Sequence, residues 1–151
     1  MANVFEIQSR VSALKDRKTL ELILFVEIKK AEKIFIEAQK MQLNAGVNNK
    51  GKVIGTYSQA TEEIAKGQNT RKPKIAGQPY NFEYYGDFFD DMVLDVFEDR
   101  ASFFSTDSKT EELIGKYKGL FGLTEENLEE IIRETIAPRF VGEIRNILQL
   151  Q

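Results

Sequence analysis

The densest group of side chains that could do chemistry is a run of carboxylates beside aromatic residues. Asp87, Asp90 and Asp91 lie within five positions, and Asp95 follows. Carboxylate oxygens are ligands that Mg²⁺ and Ca²⁺ prefer. An EF-hand loop, however, requires a D-x-D-x-D-G pattern ending in Glu, and this run does not have it. We therefore interpret these carboxylates as a solvated turn that enters a strand, and we assign no metal ligand.

A second acidic group has the spacing of a helix and comprises Glu125, Glu126, Glu129, Glu130 and Glu134. Paired carboxylates can serve as the acid and the base of a catalytic reaction. Nothing in the sequence directs these towards a pocket, and Arg133 can pair locally with Glu129 or Glu130. The pattern therefore indicates an exposed acidic helix face.

The composition lacks residue types that several classes of catalytic and metal-binding site require. The 151 residues contain no His, no Cys and no Trp. This excludes Ser-His-Asp and Cys-His triads, thiolate nucleophiles, zinc fingers, and the usual haem and iron–sulfur ligands. The remaining carboxylates, lysines, serines and tyrosines form no catalytic motif. We expect a protein that is not an enzyme, with no metal, no cofactor and no small-molecule substrate.

Charge is divided unevenly along the chain. The net charge is −3, but residues 1–52 have a balance of +4, residues 53–81 of +2 and residues 82–151 of −9. A basic first part and an acidic last part suit head-to-tail association, because a heterologous interface joins two different patches. The alternative is that each part simply solvates its own surface.

The basic residues of the middle third concentrate in a long loop. Residues 66–81 contain two Gly, two Pro and four basic side chains. Loops of this length tend to be functional or disordered. We predict a solvated arm that orders on assembly, and direct binding of nucleic acid by the same cations is the alternative. No GxxxxGK[ST] motif supports nucleotide binding.

The elements that must position these side chains follow from hydrophobic periodicity. No Gly or Pro occurs from about Ser12 to Leu43, and apolar residues recur every three or four positions, which predicts one long amphipathic helix. An interruption near Asp16 and a strand over Leu20–Ile28 are alternatives. That apolar stretch is also too short and too charged to span a bilayer, so we expect no membrane partner.

The C-terminal half predicts a hairpin followed by helices. Two β-rich stretches separated by a polar turn indicate a hairpin over Met92–Ser105. Ser108 begins a capping-box pattern, and Thr124 precedes acidic residues that favour the start of a helix. Pro138 predicts a kink or break near Ala137.

These elements define the expected fold class, which is α+β in a single domain over residues 1–151. It consists of a long N-terminal helix, a small antiparallel sheet with a hairpin near 92–105, and C-terminal helices. The loop or arm at about 66–81 projects from it.

The aromatic turn before the hairpin resembles a family motif. Residues 84–92 (YYGDFFDDM) are similar to the T-G-D-L/F-x-x-S segment that precedes a β-hairpin in tail-completion, or head–tail joining, proteins of tailed phages. Gly86 and Asp87 match this segment, whereas Tyr85 and Asp91 stand where the family usually has Thr and Ser. In that family an N-terminal helix, a long loop, this turn, a small sheet and a C-terminal helical segment follow in the same order.

The resemblance implies a non-enzymatic structural protein of the virion, made in the bacterial cytoplasm, that forms a homo-oligomeric ring. Its implied neighbours are proteins of the connector or portal side and of the tail tube or terminator, and the ring lumen permits non-specific contact with DNA. The candidate interface comprises Lys66, Arg71, Lys72, Lys74, Tyr85, Phe88, Glu125, Glu126, Glu129 and Glu130. A small DNA-binding or regulatory protein that uses the basic residues 66–74 is the alternative function.

Overall fold

The computed structural model describes residues 4–149, which begin with three consecutive helices. These are α1 (Val4–Leu14), α2 (Arg17–Lys30) and α3 (Glu32–Asn44). Asp16 separates the first two, and its carboxylate caps α2 by accepting a hydrogen bond from the backbone N–H of Lys18. The predicted interruption near Asp16 is confirmed, and the alternative strand is wrong.

A second break, at Ala31, divides what the sequence predicts as one long helix. Ala31 has φ −94° and ψ 9°, outside the helical range, and its N–H still donates to the carbonyls of Glu27 and Ile28. Its side chain is only 2% exposed. The expectation of a single long helix is therefore wrong, and the break lies at a buried alanine rather than at a Gly or Pro.

The loop after α4 (Gln59–Lys66) packs onto the domain. Tyr57 pairs with Ala76 in an isolated β-bridge. The Glu62 carboxylate accepts a hydrogen bond of 2.7 Å from the backbone N–H of Ala76. The expectation of a solvated arm is therefore wrong, because backbone and side-chain hydrogen bonds already hold the middle of this segment.

The predicted hairpin is confirmed. After the short helix α5 (Asp87–Asp90), the strands β1 (Met92–Val96) and β2 (Ala101–Ser105) pair antiparallel, with Met92 opposite Ser105. The Ser105 hydroxyl donates a 2.9 Å hydrogen bond to the carbonyl of Phe88. This bond ties the end of the hairpin to the aromatic turn.

Helices close the C-terminal part. They are α6 (Thr110–Lys116), α7 (Glu125–Ile131), a π-helical turn (Ile132–Ile136) and α8 (Ala137–Leu148). The π-helical turn comes directly before Pro138, which cannot donate a backbone hydrogen bond and crowds the preceding turn of a helix. Ala137 is itself helical, with φ −60° and ψ −44°, so the helix is distorted before Pro138 but is not broken near Ala137 as predicted.

The two predicted N-caps have opposite outcomes. The Thr124 hydroxyl accepts a hydrogen bond from the N–H of Asn127 and caps α7, as predicted. The predicted capping box at Ser108 is wrong, because α6 begins after Lys109 and has no side-chain cap. The Asp107 carboxylate instead accepts a hydrogen bond from the N–H of Lys109.

Two hydrophobic clusters form the core, and α3 and β1 contribute to both. The first consists of Ala31, Phe35, Leu94, Ile131 and Ile136. The second consists of Leu43, Phe88, Phe89, Met92 and Leu120. The fold class is α+β, as the sequence predicts. Within residues 4–149, every helix is too short or too polar to cross a lipid bilayer.

Candidate subunit interface

The cations of the basic segment are largely paired within the chain. The Lys66 ammonium lies 3.0 Å from a carboxylate oxygen of Glu62 and 2.9 Å from one of Glu63. The Lys72 ammonium lies 3.7 Å from the carboxylate of Glu83. Both lysines therefore have local counter-charges, and neither offers an uncompensated charge to a partner.

Arg71 forms a bidentate ion pair with Asp90, one of the carboxylates considered above as a metal ligand. The two guanidinium-to-carboxylate distances are 2.8 and 2.6 Å, and these hydrogen bonds lower the pKa of Asp90. The pair lies over Gly86, where φ is +102° and a Cβ atom would overlap the guanidinium. The turn thus requires Gly86 for both its conformation and its space.

Lys74 is buried, and the prediction that it forms part of a surface is wrong. Lys74 is only 3% exposed, and its ammonium donates hydrogen bonds to the side chain of Asn81 and to the carbonyl of Glu83. The ammonium also lies 5.5 and 5.4 Å from the ring centres of Tyr57 and Tyr84, a cation–π distance. Burial lowers the pKa of Lys74 to about 8.

This burial leads to a prediction about pH. The folded protein releases the Lys74 proton near pH 8, whereas an unfolded lysine holds it until about pH 10.4. Between these values the unfolded chain binds more protons, so the free energy of unfolding rises with pH. From about pH 7 to 9.5 the wild type should gain about 1–2 kcal/mol more stability than Lys74→Met, measured by urea denaturation. Parallel pH profiles for the two proteins would contradict the assignment.

The two aromatic candidates differ in accessibility. Phe88 is 6% exposed and packs in the second core cluster, so the prediction that it contacts a partner is wrong. Tyr85 is 49% exposed, and its hydroxyl donates a 3.0 Å hydrogen bond to the side chain of Gln68. Tyr85 alone of this pair remains available for contact.

A partly open cavity of about 340 Å³ lies beside the aromatic turn. Tyr57 lines it, and the Tyr57 hydroxyl donates to the Asn81 side chain and accepts from the Asn81 backbone N–H. Lys74, which also lines it, bonds to the same Asn81 side chain. These polar groups hold the loop together. The described part of the chain contains no cluster of three or more acidic side chains placed to hold a metal ion.

The acidic candidates form an exposed surface without counter-charges. Glu125, Glu126, Glu129 and Glu130 are all exposed, and none forms an ion pair within residues 4–149. Arg133 lies 3.4 Å from the carboxylate of Glu134 and does not pair with Glu129 or Glu130 as the sequence suggested. The surface therefore carries uncompensated negative charge.

Helical spacing places two of these carboxylates, Glu125 and Glu129, next to residues that line an apolar groove. Glu125, Leu128, Glu129 and Ile132 share one side of the helix, since positions three, four and seven apart overlie each other. Leu128 and Ile132 are 40% and 44% exposed and line a groove of about 630 Å³. The rest of its lining includes Leu24, Ile28, Phe35, Leu94, Phe103 and Ile136.

Two buried glutamines on α3 position this surface. The Gln39 amide oxygen accepts a 2.8 Å hydrogen bond from the N–H of Gly122. The Gln42 amide donates to the carbonyl of Gly122 (2.9 Å) and accepts from the N–H of Thr124 (2.8 Å). Because Thr124 caps α7, these bonds fix where the acidic helix begins. Neither glutamine was identified from the sequence. Both lie on the same helix face as the apolar Phe35, and polar residues on an apolar face could have indicated their role.

The N-terminal helices and α8 contact one another but bury very little. Neither α1 nor α8 contains a buried residue. The buried residue of α2 is Glu27, whose carboxylate lies 2.7 Å from the Lys30 ammonium. The large apolar side chains of α1 that stay between 40% and 82% exposed are Val4, Phe5, Ile7 and Val11. Large exposed apolar patches on soluble proteins are often sites of interaction, so these side chains are candidates for contact with a partner.

Comparisons with known proteins assign no family to the chain. No protein-family model, no curated protein and no solved structure matches it. The exposed helix α1, the apolar groove and the unpaired acidic surface are therefore the features from which its function is inferred.

Proposed function

We propose that this protein is a non-enzymatic structural subunit of a tailed-phage virion, in the head–tail connector or tail-completion ring. It is made in the bacterial cytoplasm and acts through contacts with copies of itself and with virion proteins on its portal and tail sides. The order of elements supports the proposal: N-terminal helices, a long loop, the turn at Gly86 and Asp87, a hairpin and C-terminal helices. The resemblance of residues 84–92 implies the same order.

The uncovered apolar surface of α1 is the observation that carries the proposal. A helix of 11 residues is only marginally stable by itself in water, and most helices gain stability by packing an apolar face. No side chain of this helix is fully buried in the monomer, and only Arg10 and Leu14 are partly buried. Covering Val4 and Phe5 in an assembly would remove them from water and hold the helix in place.

The DNA-binding alternative has lost its main support. Lys66, Arg71 and Lys72 are paired with carboxylates of the same chain, and Lys74 is buried. Binding to phosphates would have to break these ion pairs or compete with the nearby negative charge. The geometry therefore favours contacts between proteins.

Native mass spectrometry of the isolated protein, together with cryo-EM of the phage particle that encodes it, tests the proposal. We expect a monomer or weak oligomers in isolation and a ring of this chain between head and tail in the particle. Its absence from the virion would overturn the proposal. Binding to DNA at low salt that weakens steeply as salt is added would favour the alternative.

A further inference from the structure

We infer that helix α1 of one copy docks into the apolar groove beside α7 of the next copy, with Phe5 as its anchor. The inference rests on the self-association in the proposed function and names the two surfaces that meet. A helix that lays apolar side chains into a groove is a recurrent mode of recognition, read through anchors on one helix.

Both surfaces are apolar and accessible to a partner. Phe5 is 82% exposed and Val4 is 76% exposed, and both lie in the first turn of α1. The groove is lined mainly by apolar side chains and is accessible along Leu128 and Ile132. Interfaces draw most of their binding energy from a few aromatic anchors in such pockets. Phe5 is the most exposed large apolar side chain among the described residues.

The charges around the two surfaces are opposite. Residues 4–18, which contain α1 and the start of α2, have four basic and two acidic side chains, a balance of +2. Residues 125–136, which border the groove, have five acidic side chains and one basic one, a balance of −4. Lys15 and Lys18 form no ion pair within residues 4–149, and neither do Glu125 and Glu129 on the groove side of α7. Complementary charge favours the encounter and fixes the register of the helix.

The geometry points to a neighbouring copy as the source of the helix. Within one copy α1 contacts α2 and α8, and none of its residues lines the groove. An interface between two different patches of the same subunit repeats from copy to copy, and it closes into a ring when the rotation permits. This is the assembly mode that the proposed ring requires.

Disulfide trapping tests the docking directly, because the natural chain has no Cys. A Val4→Cys and Leu128→Cys double variant keeps the Phe5 anchor. On mild oxidation at high protein concentration it should give disulfide-linked dimers and larger multimers. The matched control pairs Val4→Cys with Ile64→Cys, which is 61% exposed on α4 outside the groove, and should remain unlinked. A fast-migrating monomer with an internal disulfide would show docking within one copy and overturn the inference.

Sedimentation analysis of variants separates the docking from self-association in general. Phe5→Ala should weaken self-association about 30-fold, as expected for a buried aromatic anchor. Glu125→Lys with Glu129→Lys should weaken it about tenfold. Glu126→Lys with Glu130→Lys, the same charge change away from the groove, should change it less than about twofold.

Two outcomes of these experiments have different meanings. Oligomers that persist in Phe5→Ala and do not give the Val4–Leu128 crosslink would overturn the docking and leave the proposed function intact. A wild-type protein that does not self-associate even at high concentration would overturn the docking, and its absence from the virion would overturn the proposed function as well.

Discussion

Replacing Gln42 with Leu should lower the free energy of unfolding by about 2–4 kcal/mol. Gln42 is 5% exposed, and its amide bonds to the carbonyl of Gly122, the N–H of Thr124 and the side chain of Asn127. Leu occupies a similar volume but leaves all three groups without this partner. A buried polar group that loses its partner destabilises the fold by about 1–3 kcal/mol. Urea denaturation followed by far-ultraviolet circular dichroism measures the effect.

The matched control is Gln59→Leu, the same chemical change at an exposed position on α4. It should alter stability by less than about 0.5 kcal/mol, as most exposed substitutions do. Equal effects of the two variants would mean that Gln42 does not hold the start of α7. Because Thr124 caps that helix, the Gln42→Leu variant should also loosen the acidic side of the groove.

The features that sequence reasoning predicted correctly depend on neighbours in the chain. The hairpin over Met92–Ser105 follows from two β-rich stretches around a polar turn, and the cap at Thr124 from a hydroxyl before acidic residues. Each signal acts within a few residues, so no knowledge of the tertiary structure was needed.

The features that sequence reasoning missed depend on contacts between distant segments. Lysine is almost always exposed, so nothing local indicated that Lys74 is buried. The Lys74 ammonium lies near the rings of Tyr57 and Tyr84. These tyrosines precede and follow the loop in the sequence, and they come close to Lys74 only in the folded chain. The break at Ala31 likewise has no Gly or Pro to mark it, and it coincides with close packing in the first core cluster.

The exposure of the acidic residues in the candidate interface was predicted correctly. The exposure of the acidic surface at Glu125 and Glu129 agrees with the helical spacing of these residues. That this surface borders an apolar groove depends on Leu24, Phe35 and Phe103, which come from three other elements. A one-dimensional pattern shows which residues share a helix face, but it does not show which other elements pack beside that face.

A second large effect is expected at Ile136, in the floor of the groove. Ile136 is 2% exposed and packs in the first core cluster with Phe35 and Leu94. Ile136→Ala removes buried methyl and methylene groups and leaves a cavity, because the surrounding side chains relax only in part. The free energy of unfolding should fall by about 2–4 kcal/mol, measured by urea denaturation.

Ile132→Ala provides the matched comparison, because Ile132 lies one turn earlier, is 44% exposed and lines the same groove. Its effect on unfolding should be at most about 1 kcal/mol, since less of the side chain is buried in the monomer. Self-association, in contrast, should weaken about tenfold, because docking of α1 would bury this side chain completely. An Ile132→Ala variant that folds and self-associates like the wild type would exclude this groove as the docking surface, whatever Ile136→Ala does to stability.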